Sequence, residues 1–203
     1  MNPQNGKSLP PLLSIITVNL NNKSGLERTF RSVEGQTFKD FEFLVIDGGS
    51  LDGSVQLLQD RRSPVHRWHS GPDKGEYDAM NYGIRMASGR YVMFLNSGDE
   101  LFSTTALESF FSRTKQADIL YGDVNIVYGK TKIRKSYPEK LDSWFLFNDT
   151  VCHQTQIISR RLFTRYGMYN IKTKLVSDYE FLTKMILRHR VSHRHVPQVL
   201  VNY

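Results

Sequence analysis

Apolar residues run along the first half of this chain in short blocks, and between the blocks they recur at helical spacing. Leu12 to Asn19 is an apolar, β-branched run, the mark of a buried strand. Ser24 then opens a predicted helix with Glu27 three residues later as a capping box, and Leu26, Phe30 and Val33 form its apolar face. Phe41 to Ile46 is a second strand. Asp52 or Ser54 caps a short helix carrying Val55, Leu57 and Leu58, and Val65 to Trp68 is a third strand before the turn Ser70 to Gly75. Tyr77, Met80, Ile84 and Ala87 mark a further helix ended by Gly89, and Tyr91 to Phe94 is the strand that follows. Strands alternating with helices imply βαβ units, so the expected class is α/β with a mostly parallel central sheet.

The second half changes character. Ile119 to Tyr121, Val124 to Tyr128 and Thr131 to Tyr137 read as short strands, with Gly129-Lys130 as a hairpin turn. Gln156 to Ile158 is another strand and Asp178 to Leu187 a helix. Val191 to Val201 reads as a closing strand pair around Pro197. Tyr82, Tyr91, Trp144, Phe145 and Phe147 are assigned to the core, the alternative being that Trp144-Phe145-Leu146-Phe147 forms part of a sugar or lipid contact. With no repeat or low-complexity segment, residues 1–203 are expected to form one domain, with a flexible N-terminus over 1–11. The chain stops on an apparent strand, an ending expected where a longer protein has been cut.

Composition narrows the class. At 203 residues, with 39% hydrophobic and 23% charged residues, the chain can bury a real core and is not disordered. No apolar run has the roughly 18 to 20 residues that span a bilayer, and residues 1–7 lack the layout of a secretion signal. One cysteine, Cys152, excludes an internal disulfide, and a reducing cytoplasm is the expected location. The net charge of +7 is concentrated: from residue 151 onward, nine Lys/Arg face only Asp178 and Glu180, so the first 150 residues are neutral. Such asymmetry points to an anionic partner or to a solvated basic face. No recognition motif supports a specific nucleic-acid partner.

Two carboxylates stand where strands end. Asp47 closes the second strand before Gly48-Gly49-Ser50, and Asp99 lies in Asn96-Ser97-Gly98-Asp99 after the fourth. Open α/β sheets bind ligands at this edge, so the pair suggests one site for a divalent cation and a phosphorylated or polyhydroxylated ligand. The plain alternatives are a turn-initiating Asp47 and a helix-capping Asp99. Asn19-Leu20-Asn21-Asn22 stands where a dinucleotide fingerprint would need glycines, which disfavours NAD.

Four motifs then occur in order: Ser14-Ile15-Ile16-Thr17-Val18-Asn19, Asp47 to Ser54, Asp73-Lys74-Gly75-Glu76-Tyr77-Asp78-Ala79-Met80-Asn81, and Leu95 to Asp99. Together they resemble family-2 glycosyltransferases of the GT-A fold, a Rossmann-like three-layer α/β/α architecture, especially bacterial enzymes of capsule, colanic-acid and lipopolysaccharide assembly. The resemblance covers Leu12 to Tyr203. It implies that Asp47 contacts the nucleobase of a sugar-nucleotide donor, that Asn19, Asp73, Lys74, Gly75, Asp78, Asn81, Asn96 and Ser97 lie at the donor, and that Asp99 binds Mn²⁺ or Mg²⁺. Two departures stand out: Gly98 replaces a further acid, and Met80 replaces an Arg whose pyrophosphate contact Lys74 would supply.

Val176-Ser177-Asp178-Tyr179-Glu180 resembles the segment carrying the family's catalytic base, which implies that role for Asp178; the plain alternative is a helix-N-terminal carboxylate. The resemblance also implies that His153 and Gln154 line the acceptor or diphosphate, while Cys152 is structural. The expected function is therefore an inverting sugar transferase in bacterial cell-surface polysaccharide synthesis. Its acceptor would be a glycan or a polyprenyl-diphosphate oligosaccharide, met at the inner face of the cell membrane, with peripheral contact to anionic lipid. The rivals are a non-catalytic sugar-nucleotide-binding subunit, supported by Gly98, and a nucleotidyltransferase.

Overall fold

The computed structural model describes residues 9–203. The expected flexible segment therefore lies outside the described residues over positions 1–8. In chain order the elements are β1 (Leu13–Asn19), α1 (Lys23–Glu34), β2 (Phe41–Asp47), α2 (Ser54–Gln59), β3 (Arg67–Ser70), α3 (Glu76–Met86), β4 (Tyr91–Phe94), β5 (Glu100–Leu101), α4 (Ala106–Ser112), β6 (Ile119–Tyr128), β7 (Thr131–Lys135), α5 (Ser143–Asn148), β8 (Gln156–Ser159), α6 (Arg160–Tyr166), α7 (Ser177–Thr183) and β9 (His193–Asn202). A 3₁₀ turn, His153–Thr155, precedes β8, and a π-helical turn, Lys184–Arg188, continues α7.

The described strands form one sheet in the order β3-β2-β1-β4-β8-β6-β9-β5, with β7 paired to β6. From β3 to β4 every pairing is parallel. Beyond β4 the sheet is mixed: β8 runs antiparallel to both β4 and β6, and β9 runs parallel to β6. The parallel sheet expected from the βαβ pattern is thus its N-terminal half.

Side chains that alternate along the strands feed two cores. Ile15, Phe43, Val45 and Met93 face one layer with Leu26 and Phe30 of α1 and Phe110 of α4. Ile16, Leu44, Ile46 and Phe94 face the other, with Met80 and Ile84 of α3, Phe163 of α6 and Leu182 of α7. This is the three-layer arrangement, with strands buried on both faces.

Local differences from the sequence reading have tertiary causes. Asn22, not Ser24, caps α1: its side chain accepts from Gly25 N and also donates to the Ser97 carbonyl. Gly53 stands at the cap of α2, while the Asp52 carboxylate accepts from Ser54 and from Lys23 N. Helix α3 ends at Met86, and Gly89 serves close approach instead, since a Cβ there would lie 2.6–2.8 Å from Ser14 and Leu13. Strand β6 runs unbroken through Gly122, and β9 is one strand through Pro197, because irregular register near Asp123 absorbs the mismatch. Helices α4, α5 and α6 and strand β5 have no counterpart in the sequence reading. Tyr91 is buried and Phe145 packs partly buried against the core, but Tyr82, Trp144 and Phe147 are 36%, 76% and 85% exposed, so their assignment to the core is wrong.

Glu42 on β2 ties the parallel half together. It accepts from Ser14 Oγ, Ser88 and Gly89 N, and pairs with Arg67 at 2.6 Å. Burial raises its pKa, but the donors outweigh burial and bring it to about 2.

Candidate active site

Asn19, Asp47 and Asn96 stand at or just beyond the carboxyl ends of β1, β2 and β4. They do not play equal parts. Asp47 is fully buried. Its Oδ1 accepts from Asn19 Nδ2 (2.7 Å) and Ser50 Oγ, and its Oδ2 accepts from Gly49 N (3.1 Å), Ser50 N (2.9 Å) and Ser70 Oγ (2.7 Å). Burial alone would raise its pKa, yet these five donors hold it below the usual carboxylate range. A carboxylate so fully engaged within the chain shapes the loop Gly48–Ser50.

Asn19 carries that order into the next loop. Its Oδ1 accepts from Ser97 Oγ at 2.7 Å, and Ser97 Oγ lies 3.1 Å from the Asn22 carbonyl. Gly98 takes a φ of +113°, and its N–H donates to Thr29 Oγ1, whose hydroxyl donates in turn to the Asp99 carbonyl. A cavity of about 300 Å³ opens here, lined by Asn19, Leu20, Asp73, Gly75, Glu76 and Asn96 among others. Asp73 accepts from Gly75 N, and Gly48 lies so near that a Cβ on it would meet Asp73 Oδ2 at 2.8 Å.

A second cavity of about 400 Å³ adjoins the first through Glu76, Asn96 and Ser97, which line both. It gathers Asp99, His153, Gln154 and Asp178, with Tyr77, Leu175 and Tyr203. Tyr77 donates to Asp178 Oδ1 at 2.6 Å, and His153 Nδ1 lies 3.2 Å from Asp178 Oδ2. Burial raises the Asp178 pKa, but the bonds from His153 and Tyr77 bring it below the ordinary value, so the carboxylate is ionised at neutral pH. Gln154 Nε2 donates to Asp99 Oδ2 at 3.1 Å. That bond does not offset burial, and the Asp99 pKa rises to about 6.

Asn96 bridges the two cavities. Its Nδ2 donates to Glu76 Oε1 at 2.7 Å and lies 3.3 Å from His153 Nε2, while its Oδ1 is buried without a hydrogen-bond partner. A desolvated carboxylate, Asp99, in a cavity that Asn96 also lines fits a hard divalent cation, which takes oxygen ligands. Among the described residues no cluster of three His, Cys, Asp or Glu could hold a metal by itself. Phosphate oxygens and water would have to complete the shell.

Three expected donor residues stand apart. Asn81 is buried, with Nδ2 on the Tyr169 carbonyl (2.9 Å) and Oδ1 on Tyr169 N (3.0 Å), so it staples α3 to the loop before α7. Lys74 and Asp78 line neither cavity; Asp78 accepts from Lys74 N at the start of α3. Cys152 donates to Gln154 Oε1, not to His153, and burial pushes its thiol up to about 12, so it is no nucleophile. Glu76 and Tyr77 escaped the sequence reading as site residues, although both lie inside the third motif.

A larger cavity, about 770 Å³, lies elsewhere, at the opposite ends of β4 and β8, beside Arg90, Arg160, Arg161 and Arg165. Arg160 is bound to the Gly89 carbonyl and Arg161 to Asp118, so two of the nine basic residues of the last quarter brace the fold there.

Residues 14–184 match the family model described as Glycosyl transferase family 2. The chain is 31% identical to a PGL/p-HBAD biosynthesis glycosyltransferase of Mycobacterium bovis over 202 residues, 95% of this chain and 77% of that protein. Over 101 residues it is 33% identical to the GalNAc(5)-diNAcBac-PP-undecaprenol beta-1,3-glucosyltransferase of Campylobacter jejuni, 46% of this chain and 31% of that one. In three dimensions it resembles S. aureus TarS residues 1–349 in complex with UDP, with a TM-score of 0.75 at 19% identity over 94% of this chain. It also resembles the mannosyltransferase PcManGT of Pyrobaculum calidifontis in complex with GDP-Man and Mn²⁺, at a TM-score of 0.70 and 15% identity over 96% of this chain. The chain spans 60% of that TarS chain and 57% of the PcManGT chain. The architecture is that of GT-A glycosyltransferases.

Proposed function

The chain belongs to glycosyl transferase family 2 and is a glycosyltransferase; on that premise we propose that it moves a sugar, with inversion, from a nucleotide-diphosphate donor to an acceptor hydroxyl during assembly of a bacterial cell-surface glycan. The observation that carries this reading is the continuity of the cleft. Asp99 and Asp178 share one cavity, and that cavity opens through Glu76, Asn96 and Ser97 into the one beneath Asp73 and Gly75.

The donor lies along the first cavity, between Asn19 and the Asp73–Glu76 turn, with its diphosphate directed toward Ser97 and Asp99. Asp99, with phosphate oxygens and water, would hold a divalent cation, Mn²⁺ or Mg²⁺, which when bound would neutralise charge on the diphosphate. Asp47 acts at one remove, through its hydrogen bond from Asn19, which lines this cavity.

Asp178 takes the proton from the acceptor hydroxyl. The acceptor oxygen attacks the anomeric carbon from the face opposite the diphosphate, the new C–O bond forms, and the bond to the phosphate oxygen breaks with its electron pair leaving on the nucleoside diphosphate. One displacement gives inversion. Asp178 suits the role because it is ionised and within the cavity, and Tyr77 and His153 fix its orientation. A polyprenyl-diphosphate-linked glycan at the inner membrane face is the acceptor class favoured by the relative named for a PP-undecaprenol substrate.

A thermal-shift panel of UDP-, GDP- and dTDP-sugars, with and without Mn²⁺, tests the donor assignment. One donor should raise Tm in a metal-dependent way, and turnover should release nucleoside diphosphate with an inverted anomeric product by NMR. A flat panel supports neither transfer nor a donor-binding subunit. Release of pyrophosphate would instead indicate a nucleotidyltransferase.

A further inference from the structure

We propose that the rim beside Asp178, formed by α5 and the loop leading into α7, docks on the surface of an anionic lipid bilayer. The inference rests on the lipid-linked acceptor reading above and gives it a place on the molecule.

Helix α5 is short and divided. Leu146 is buried and Phe145 packs at the edge of Tyr137, while Trp144 and Phe147, three residues apart and so on one side, stand 76% and 85% exposed. The loop before α7 repeats the pattern: Leu175 is 87% exposed and Val176 half-exposed. These two apolar groups belong to adjoining elements, since the Tyr179 hydroxyl donates to the Leu146 carbonyl. Leu175 and Asp178 line the same cavity. The apolar groups thus sit beside the opening at which an acceptor would enter.

Charge around them suits an anionic surface. Lys172 and Lys174 of the loop before α7 are exposed, and Glu180 beside them accepts from Asn170 Nδ2 and Thr173 Oγ1. On the α5 side, Asp149 is paired with Lys135 at 2.6 Å, and Asp142 is used in capping α5, where it accepts from Phe145 N. Exposed Trp and Phe together with lysines are the two signals, apolar and electrostatic, that in combination give stable attachment to a membrane surface. Docked in this way, the rim brings Asp178 over the headgroup plane, where the glycan of a lipid-linked acceptor emerges while its lipid stays in the bilayer.

Sedimentation with vesicles of phosphatidylcholine alone and of phosphatidylcholine mixed with phosphatidylglycerol tests the face. Wild-type protein should sediment with the mixed vesicles and lose binding as salt is raised. Trp144→Ser/Phe147→Ser and, separately, Lys172→Glu/Lys174→Glu should each weaken that binding at least about tenfold while keeping Tm and the donor-induced rise in Tm. Wild-type protein that responds to donor but does not sediment, or variants that sediment like wild type, would overturn the docking face and leave the transferase reading standing. Protein that sediments through Trp144 and Phe147 but gives no donor response would uphold the face and overturn the transferase reading.

Discussion

Tyr77 donates its hydroxyl to Asp178 Oδ1 at 2.6 Å, joining the first turn of α3 to the first turn of α7 across 101 residues of chain. The bond stabilises the ionised carboxylate, and the pKa of the phenol itself is raised, first by burial and then by Asp178. Asp178 is therefore oriented and deprotonated before any acceptor arrives.

Asp178→Asn should lower transfer by about 10²–10⁴-fold, the usual worth of a positioned base, while the donor-induced Tm shift persists. Tyr77→Phe removes a donor to the ionised form, so the Asp178 pKa rises. The acid limb of kcat should then move to higher pH, with a smaller loss at the optimum. An acid limb that stays in place would show that Asp178 is not the group titrating there.

Asp99 gives a prediction for metal-free protein. Its folded pKa is raised from 3.8 to about 6, chiefly by burial, so its contribution to stability is complete below pH about 4 and is lost as pH rises through about 6. The loss at neutral pH has an upper bound of roughly 3 kcal/mol. In chelator-treated protein, Asp99→Asn should therefore have the higher Tm near neutral pH and no advantage below pH about 4. The same variant should lose the Mn²⁺ effect on donor binding. A lower Tm at neutral pH would contradict the burial argument.

Asn81 separates structure from binding. Asn81→Ala strands both the N–H and the carbonyl of buried Tyr169, a loss of about 2–4 kcal/mol in urea denaturation. Donor affinity should be unchanged, because the side chain does not reach the cleft. A selective loss of donor affinity at unchanged stability would return Asn81 to the binding site.

Gly89→Ala places a methyl group within 2.6–2.8 Å of Ser14 and Leu13, two strand residues that cannot step aside. Overpacking against backbone should cost about 1–3 kcal/mol and lower the urea midpoint without changing the m-value.

The βαβ half was legible because each strand there is a local apolar run and each helix has its own period. The antiparallel half was not, since the pairing of β8 between β4 and β6 depends on contacts far apart in sequence. The acids at 47 and 99 were found from their place after strands, and Asp178 through its resemblance to a known segment. Their environments were hidden: nothing local shows that five donors enclose Asp47 or that Gln154 reaches Asp99 from 55 residues away. Trp144 and Phe147 misled for the related reason that a short apolar cluster does not say which of its members face inward.

Strand β9 lies between β6 and β5, and it is the last strand in the described chain. As the polypeptide leaves the ribosome, β5 has no neighbour to pair with and β6 keeps one edge open until residues 193–202 have been synthesised. The N-terminal βαβ units can consolidate early, whereas this edge remains a template for mispairing until then. Synthesis stalled before residue 193 should therefore leave a nascent chain that depends on chaperones and is readily cut by protease.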